Sequence, residues 1–370
     1  MQPLYQKIIE ELSTSIVSGS YKINEKLPSE AELMRTFNTS RITVVRALKE
    51  LEIRGVIYRR RGKGSFVSPR RLTGPRIISL VLPHKEGFFS GGMQYVRSIT
   101  AACHEMGYLC SVHYSEKSSR KERAILEELR RHEVSGVILY PIGNRNIDEI
   151  SRLSLDGYPI LLLDRSLDEL DLPVVRSENL SGARQAVTHI LNMGHKRVGF
   201  IGVLDAEPAA LRYHGYCRAL TEASLPINPV LTHTRYPGNE ADEQAVLGSD
   251  AADEILKSLM ENDVTACFCV NDLCAYRLAD AAKRKGIVVP ERLSIVGFDH
   301  MSYLSELGLD LTTVAQDYER LGQESVALLI HLIETPDISR EEITLDITVP
   351  TRFVEGSTVV KRYEEVQPTT

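Results

Sequence analysis

Residues 27–46, Leu-Pro-Ser-Glu-Ala-Glu-Leu-Met-Arg-Thr-Phe-Asn-Thr-Ser-Arg-Ile-Thr-Val-Val-Arg, decide how the N-terminal part of the chain folds. Ser29-Glu30-Ala31-Glu32 is a capping box, in which a serine and a glutamate three residues later satisfy free backbone N–H groups at a helix start. Ser40 is a suitable N-cap for a second helix, which we expect over 41–54 and closed by Gly55. The sequence therefore predicts two short helices around a tight turn.

The flanking residues extend this motif on both sides. Apolar residues recur at helical spacing between Leu4 and Val17 and predict a first amphipathic helix. After the helix pair, Val56-Ile57-Tyr58 and Ser65-Phe66-Val67 predict two strands, joined by the basic turn Arg60-Arg61-Gly62-Lys63-Gly64. Helix, turn, helix and basic hairpin in this order are typical of a winged helix-turn-helix, whose second helix enters the major groove of DNA.

The predicted second helix has one apolar side. Val44, Ala47, Leu48 and Leu51 fall on that side, and we expect them to face the core of the domain. Residues on the other sides near the start of the helix are available to base edges and phosphates, and the glycines of the basic turn permit close approach of the backbone. The candidate DNA-contacting residues are Ser29, Arg35, Ser40, Arg41, Ile42, Thr43, Arg46, Lys63 and Gly64.

Charge is distributed unevenly along the chain. Residues 1–70 carry 13 Lys and Arg against 7 Asp and Glu, whereas the whole chain has a net charge of −6. Residues 71–370 therefore carry −12. A basic head on an acidic body indicates a polyanionic partner for the head alone. The alternative is a protein-interaction module with a solvated charged face, but the order of the predicted elements favours DNA binding.

This head resembles the winged-helix domain of GntR-family transcription regulators. The family pattern Leu-Pro-Ser-Glu, Ser-Arg, Thr-Val, Gly-Lys-Gly and Phe-Val is matched nearly throughout residues 27–67. The resemblance implies a DNA-binding function. In the family an arginine usually follows Ser-Glu and another follows Thr-Val, and both typically reach phosphate, but here these positions hold Ala31 and Val45. Arg46 is turned to a neighbouring face of the helix, so we expect phosphate anchoring to be weaker or differently placed.

After the linker at 70–75 the pattern changes to strands and helices in alternation. A first series extends over 77–164 and a second over 179–297, with continuous apolar strands in both. Such strands predict parallel sheets covered on both faces, and two series predict two α/β lobes with a cleft between them. Ligands of such sheets lie at the carboxyl ends of the strands.

Polar and aromatic side chains follow several of the predicted strands. Asp164, Asn271 and Asp299 stand at strand ends, and Arg212 is near the start of a helix that follows another strand. Carboxylate and amide groups can chelate adjacent hydroxyls, and an arginine can bind two oxygens, so the set suits a polyhydroxylated ligand. Each residue alone has an ordinary alternative, since an Asp after a strand is often a helix cap and Arg212 could form a surface ion pair.

Residues from about 76 to 352 resemble the effector domain of LacI/GalR-type repressors, which is similar in fold to periplasmic sugar-binding proteins. The specific pieces include Leu163-Asp164-Arg165, Arg212-x-x-Gly215-Tyr216 and the run Val-Pro-Glu-Arg-Leu-Ser-Ile-Val-Gly-Phe-Asp at 289–299. Glu178 and His300 stand where the family usually has aspartates. The resemblance implies a cleft lined by Asp164, Arg212, Asn271, Asp299 and Gln316, with Phe88, Phe89 and Tyr236 as stacking surfaces.

These observations predict the domain organisation. We expect a winged-helix domain at 1–69, a linker at 70–75, a two-lobed ligand-binding domain at 76–352 and a C-terminal tail at 353–370. The combination resembles arabinose-responsive repressors, which join the same two modules. It implies a homodimer on double-stranded, palindromic operator DNA, because a two-fold operator needs two heads.

Cysteines and apolar runs exclude some classes of protein. Cys267, Cys269 and Cys274 lie in or near a predicted buried strand, and no second cluster supplies a fourth ligand at zinc-like spacing. We therefore predict reduced buried thiols rather than a metal site, and no cofactor. No signal core and no run of membrane-spanning length occurs, so we expect no membrane association and a cytoplasmic location.

The leading hypothesis is a ligand-responsive transcription regulator, most simply a repressor of carbohydrate-utilisation genes. The alternative is a sugar-binding protein without a DNA role, which the N-terminal head argues against. An enzyme is the third class, in which Asp164 and Asp299 would form an acid–base pair. Since the sequence contains no phosphate-binding loop, nucleophile elbow or His-Glu-x-x-His motif, we predict that the protein is not an enzyme.

Overall fold

The N-terminal head consists of three helices and a two-stranded antiparallel sheet. Its elements are α1 (Leu4–Val17), α2 (Glu30–Thr36), α3 (Arg41–Ile53), β1 (Ile57–Arg60) and β2 (Gly64–Val67). The computed structural model describes residues 4–17, 20–22, 24–53, 55–60, 62–68, 76–83, 91–132, 134–167, 169–204, 206–236, 247–335 and 345–363. The predicted winged helix-turn-helix is therefore present in order and type.

The head has its own apolar core, and the capping box fixes its second helix. The Ser29 hydroxyl accepts from the Glu32 N–H, and the Glu32 carboxylate accepts from the Ser29 N–H at 2.7 Å. Side chains from all three helices and from the sheet are buried together, including Ile8, Leu33 and Val67. Burial of this apolar surface stabilises the head.

The first lobe is built on a six-stranded parallel sheet with the order β13-β7-β6-β5-β3-β4. Two separate apolar clusters cover its two faces, one including side chains of α4 and α12 and the other including side chains of α5 and α6. The elements are β3 (Ile77–Leu82), α4 (Gly92–Glu105), β4 (Leu109–Tyr114), α5 (Ser119–Arg131), β5 (Gly136–Leu139), α6 (Ile147–Leu155), β6 (Ile160–Leu163), β7 (Val174–Ser177), α12 (Tyr318–Glu334) and β13 (Asp346–Val349).

The second lobe is built on a four-stranded parallel sheet with the order β11-β10-β8-β9, together with an antiparallel pair, β12 and β14. One large apolar cluster joins its sheet and helices. The elements are α7 (Asn179–Asn192), β8 (Val198–Ile201), α8 (Glu207–Glu222), β9 (Thr232–His233), α9 (Ser249–Glu261), β10 (Ala266–Cys269), α10 (Asp272–Arg284), β11 (Ser294–Val296), α11 (Tyr303–Glu306), β12 (Thr313–Ala315) and β14 (Arg352–Val354).

The chain crosses between the lobes three times. It passes from β7 to α7, returns from β12 to α12, and passes from β13 to β14. The predicted α/β class with two lobes is confirmed, but the lobes are not two consecutive series, because α12 and β13 return to complete the first lobe. The edge strand β13 pairs with β7 in parallel, as Asp346 opposite Val174 shows.

Part of the predicted C-terminal tail belongs to the second lobe. Residues 352–354 form β14, and Thr358 is buried, with its hydroxyl donating to the Ile295 carbonyl at 2.6 Å. The Arg362 N–H donates to the Met193 carbonyl at 2.7 Å. The division at residue 352 is therefore corrected, since residues 353–363 are packed on the lobe by these bonds.

Three of the cysteines occupy ordinary positions in the apolar core. Cys267 and Cys269 are buried free thiols on β10, and Cys274 is buried on α10. Within the described part of the chain, the helices are all too short or too polar to span a lipid bilayer.

Candidate functional site

In α3, the residues predicted to face the core are buried and the opposite side is exposed. Val44, Ala47, Leu48 and Leu51 are all buried, whereas Ile42 is 82% exposed. An isoleucine so exposed near the start of this helix gains nothing from the core of the head. This side of α3 is therefore free to meet another molecule.

The nine candidate DNA-contacting residues lie at the surface of the head. All are exposed except Thr43, which is half-buried. The Ser40 hydroxyl caps α3, since it accepts from the Thr43 N–H at 3.4 Å and lies 3.0 Å from the Thr43 hydroxyl. The start of α3 is thus ordered locally before any partner is bound.

Glu30 joins α3 to the wing, a contact that the sequence reasoning missed. Its carboxylate accepts from Arg41 Nε at 3.0 Å and from Arg59 Nη2 at 2.5 Å. The hydrogen bond from Arg41 is the main cause that lowers the pKa of Glu30, with Arg59 acting in the same direction. Two exposed guanidinium groups are thereby held at one place on the surface, where both can donate to acceptors of a bound molecule.

Arg46 and Arg35 are also held by the head. The Arg46 guanidinium lies 4.1 Å from the centre of the Tyr5 ring, a cation–π contact with α1. Arg35 Nε donates to the Ala31 carbonyl at 3.3 Å. Since Ala31 and Val45 carry no charge, these two arginines are the nearby cations, each with a position set by an internal contact.

The wing turn depends on glycine. Gly62 has φ +74° and Gly64 has φ +115°, both in the left-handed region that side chains disfavour. A Cβ at Gly64 would also lie 3.0 Å from Lys26 Cε. Lys63 between them is exposed, so the turn presents a cation and a backbone without bulky neighbours.

The second candidate site lies between the two lobes. Asp164 follows β6 of the first lobe, whereas Arg212 on α8 and Asp299 after β11 belong to the second. All three are buried, with exposed fractions of 5%, 6% and 7%. Gln316, where the chain returns to the first lobe, donates from Nε2 to Asp299 Oδ1 at 2.7 Å. The structure therefore brings together four of the predicted cleft residues.

Arg212 organises the second-lobe side of this cluster. Its Nε donates to Asn179 Oδ1 at 2.8 Å, its Nη1 to the Val270 carbonyl at 2.8 Å, and its Nη2 lies 3.1 Å from Asp299 Oδ1. The guanidinium carbon lies 3.8 Å from the centre of the Phe298 ring. Because protein groups occupy most of its donors, Arg212 acts here mainly to hold Asp299 in place.

Both aspartates are electrostatically and conformationally unusual. Burial raises the pKa of Asp164 and of Asp299, and the charge of Arg212 opposes this rise in each case. Asp164 has φ +59° and Asp299 has φ +111°, so both hold a backbone conformation that side chains disfavour. Strained backbone and buried carboxylates together are typical of ligand sites.

Three tyrosines that the sequence reasoning missed complete the first-lobe side. Tyr95 on α4 packs edge-on against Tyr318 at 5.1 Å and against Tyr140 at 6.3 Å between ring centres. Gln316 Nε2 donates to the Tyr318 hydroxyl at 3.0 Å. Tyr140 directly follows β5 as Asp164 follows β6, and that equivalence was the signal available in the sequence.

The other predicted cleft residues have different surroundings. The side-chain oxygen of Asn271 accepts from the Cys274 N–H at 2.9 Å, so it caps α10, which was the alternative for such residues. Tyr236 is buried in the apolar core of the second lobe, with its hydroxyl 3.7 Å from Cys274 Sγ, and it offers no open stacking face. Phe88 and Phe89 lie outside the described residues.

Glu207 forms a contact between the lobes at the rim of the cleft. It is the first residue of α8 in the second lobe, and its Oε2 accepts from the Ser166 N–H at 2.6 Å and the Ser166 hydroxyl at 2.9 Å. Its Oε1 accepts from Arg176 Nη1 on β7 at 2.7 Å. Ser166 and Arg176 both belong to the first lobe, so this ion pair exists only while the lobes meet.

Two known families match separate parts of the chain. The bacterial regulatory proteins of the gntR family match residues 4–67, and the periplasmic binding protein-like domain matches residues 187–359. The first match covers the head with its wing. The second covers most of the second lobe together with α12 and the C-terminal strands.

Similar proteins are transcription regulators. The arabinose metabolism transcriptional repressor of Geobacillus stearothermophilus is 28% identical over 346 residues, 91% of this chain and 93% of the repressor. The HTH-type transcriptional regulator DegA of Bacillus subtilis is 30% identical over 263 residues, 68% of this chain and 73% of DegA. A solved transcription regulator from Staphylococcus saprophyticus aligns with a TM-score of 0.64 and 25% identity, over 78% of this chain and 100% of that one.

Proposed function

Because the chain belongs to the bacterial transcription regulators that join a gntR-family head to a periplasmic-binding-protein-like domain, we propose that it is a repressor controlled by a sugar between its lobes. The observation that carries this proposal is the buried cluster of Asp164, Arg212, Asp299 and Gln316, contributed by both lobes. A ligand that binds such a cluster favours the arrangement in which the lobes meet.

On the DNA side, α3 enters the major groove and the wing contacts the backbone. We propose that Ser40, Arg41, Ile42 and Thr43 contact base edges from the start of α3, while Arg46 and Lys63 supply cations for phosphate. We propose that two chains form a homodimer on a palindromic operator, because a two-fold site presents two equivalent half-sites. The repressor acts in the cytoplasm, where its operator lies, and it performs no chemical reaction.

On the ligand side, the chemistry of the cluster supports an uncharged sugar. Carboxylate and amide oxygens accept from hydroxyl groups, and the excess of carboxylates over Arg212 disfavours an anionic ligand. The similar repressor from Geobacillus stearothermophilus is named for arabinose metabolism, which agrees with a carbohydrate effector. A coupling of about 1–3 kcal/mol between the two sites changes operator affinity by roughly 5- to 150-fold.

DNA recognition is tested by fluorescence anisotropy with DNA from upstream of the operon that contains the gene. Arg41→Ala should abolish the preference for this DNA over a scrambled duplex. The matched control is Lys49→Ala, which removes the same charge from the far end of α3 and should weaken binding to both duplexes alike. If Arg41→Ala changed both affinities equally, α3 would not read the sequence in the proposed way.

Effector binding is tested by calorimetry against a panel of pentoses, hexoses and their derivatives. One sugar should bind, and Asp164→Asn should weaken it by at least about tenfold, since a charge-assisted hydrogen bond is lost. The control Asp148→Asn makes the same change at an exposed site of the first lobe and should leave the affinity unaltered. The sugar should also change operator affinity, and a protein that binds sugar but no specific DNA would be a binding protein without a regulatory role.

A further inference from the structure

Cys103 and Cys110 form a pair of neighbouring thiols in the first lobe. Cys103 lies near the end of α4 and is fully buried, whereas Cys110 on β4 is half-buried. The two thiols are within hydrogen-bonding reach of each other. Cys103 belongs to the apolar cluster on one face of the sheet, and Cys110 packs against that cluster from the edge strand. The pair therefore lies where the core of the lobe meets its surface.

The turn between α4 and β4 brings the two cysteines together. It is a Schellman motif, in which the Tyr108 N–H donates to the Cys103 carbonyl at 2.8 Å. The Gly107 N–H donates to the His104 carbonyl at 3.1 Å, and Gly107 has φ +74°, which glycine adopts without strain. The chain reverses at this turn and continues into β4, so Cys110 returns beside Cys103. Their proximity is thus fixed by the backbone.

Cys110 has the surroundings of a reactive thiol. Its hydrogen bond with Cys103 is the main cause that lowers the pKa of Cys110, and a hydrogen bond with Thr100 acts in the same direction. The bond between the thiols and burial both raise the pKa of Cys103, so the proton stays on Cys103. Thr100 also lines an open groove on the surface of α4, which Arg97 and His104 border. The thiolate, which is the nucleophilic form of cysteine, is therefore favoured beside a surface that small solutes reach.

The other cysteines do not combine these properties. Cys217 is half-buried, but burial raises its pKa. Cys269 and Cys274 are neighbours in the second lobe, but both lie in its apolar core, and burial raises the pKa of each well above the usual value. Accessibility, a lowered pKa and a second thiol in contact thus occur together at Cys110.

We propose that Cys103 and Cys110 are a redox modification site, at which a hydroperoxide converts the two thiols into a disulfide. In the first step the Cys110 sulfur attacks one oxygen of hydrogen peroxide. The S–O bond forms, the O–O bond breaks, and the leaving hydroxide takes up a proton to become water. Cys110 is thereby oxidised by two electrons to a sulfenic acid, and the peroxide is reduced.

In the second step the Cys103 sulfur attacks the Cys110 sulfur. The S–S bond forms, the S–O bond breaks, and the hydroxyl leaves with the Cys103 proton as a second water. The sulfurs move from hydrogen-bonding contact to a covalent distance of about 2.0 Å. Reduction by a dithiol reverses the reaction, as is usual for disulfides that form transiently in reducing compartments.

The site is tested on the full-length protein without sugar or DNA, so the result does not depend on the proposed function. The protein is treated with hydrogen peroxide, unfolded, alkylated with N-ethylmaleimide and digested with glutamyl endopeptidase, which cuts after Glu105 between the two cysteines. Mass spectrometry should find the peptides of Cys103 and Cys110 joined by a disulfide. Separate alkylated peptides, at a peroxide dose that oxidises free cysteine completely, would overturn the proposal.

Variants test the order of the two steps. Cys103→Ala should leave Cys110 as a sulfenic acid that dimedone traps, whereas Cys110→Ala should leave Cys103 reduced. Cys217→Ala is the matched control and should form the same disulfide as wild type. In wild type, Cys110 should react at least about tenfold faster than Cys217, since the thiolate is favoured only at Cys110. Equal rates at these two cysteines, or a disulfide that joins two chains, would contradict the proposal.

Discussion

Asp272 is a buried carboxyl group whose pKa is higher in the folded protein than in the unfolded chain. It is 1% exposed, and its Oδ2 accepts from the Met301 N–H at 2.7 Å while its Oδ1 accepts from the Thr313 hydroxyl. Burial raises its pKa to about 8, and the negative charge of Asp299 adds to this rise. The folded state therefore keeps a proton that the unfolded chain releases at much lower pH.

We predict that the free energy of unfolding falls as pH rises between about pH 4 and pH 8. The stabilising contribution of protonated Asp272 is complete below the unfolded pKa and is lost as pH passes the folded pKa. The slope for one such group is at most about 1.4 kcal/mol per pH unit. Urea denaturation at several pH values measures this slope. Asp272→Asn should flatten it, and Asp310→Asn at the surface of the same lobe should not. A slope that persists in Asp272→Asn would assign it to other groups.

Arg212 is predicted to matter for stability as well as for binding. Arg212→Met should lower the free energy of unfolding by about 3–5 kcal/mol, because Asp299 would remain buried without its cation. Arg218→Met is the control on the same helix α8, where the ion pair with Glu222 is exposed, and it should cost less than about 1 kcal/mol. Denaturant titration distinguishes the two. Similar small losses in both variants would show that the buried pair contributes little.

At the scale of single residues, the sequence predicts some of the side chains that line the cleft but not what each of them contacts. Asp164, Arg212 and Asp299 were predicted from strand ends and family resemblance, and the structure brings them together. Asn271 fits the same pattern, yet its side-chain oxygen caps α10, because one residue type serves both purposes. Tyr95 carries no local signal, since its position depends on how α4 packs against β3, β4 and α12, which only tertiary structure determines.

Among the elements, α3 combines a structural side with a side for recognition. We predict that Leu48→Ala destabilises the head by about 2–5 kcal/mol, since it leaves a cavity in the core. Ile42→Ala should change stability by no more than about 0.5 kcal/mol but weaken specific DNA binding. Thermal unfolding and anisotropy with operator DNA measure the two effects. If Ile42→Ala bound the operator as tightly as wild type, this residue would lie outside the DNA interface.

The helices and wing strands of the head were predictable, whereas four short strands of the lobes were not. The helices of the head follow from periodicity and capping residues, and the structure places them within a few residues of the predicted bounds. The strands β7, β9, β12 and β13 have two to four residues each and all contain polar residues, so none is a continuous apolar run like β5, β6 or β10. They are defined by the neighbours with which they pair.

At the scale of the whole molecule, Glu207 joins the two lobes, and its ion pair therefore stabilises the arrangement that binds the ligand. Glu207→Gln removes the charge that faces Arg176, so we predict that it weakens sugar binding by roughly two- to fivefold, as expected for a partly exposed ion pair. Calorimetry with the bound sugar measures the change. Glu222→Gln alters an ion-pair network within the second lobe alone and should have no effect. Unchanged affinity in Glu207→Gln would mean that this contact does not stabilise the sugar-bound arrangement.

The two lobes were predicted, but their interleaving was not. Alternating strands and helices indicate parallel sheets wherever they occur, and they do not specify which sheet a later strand joins. The elements α12 and β13 lie far along the chain from β7 and α4, yet they complete the first lobe. Pairing over such sequence distances depends on the shape of the already formed sheet, which local patterns do not describe.

A ribosome completes the head long before it completes either lobe. The head has its own core, formed by residues between Ile8 and Val67, whereas the first lobe needs β13 and the second needs β14 and Thr358. A chain that stops before residue 346 therefore retains all of α3 and lacks an edge strand of its sensor. Such a product of interrupted translation would keep the DNA-binding head and lack a complete sugar-binding domain. The order of the elements thus means that premature termination removes part of the sensor before it removes any of the head.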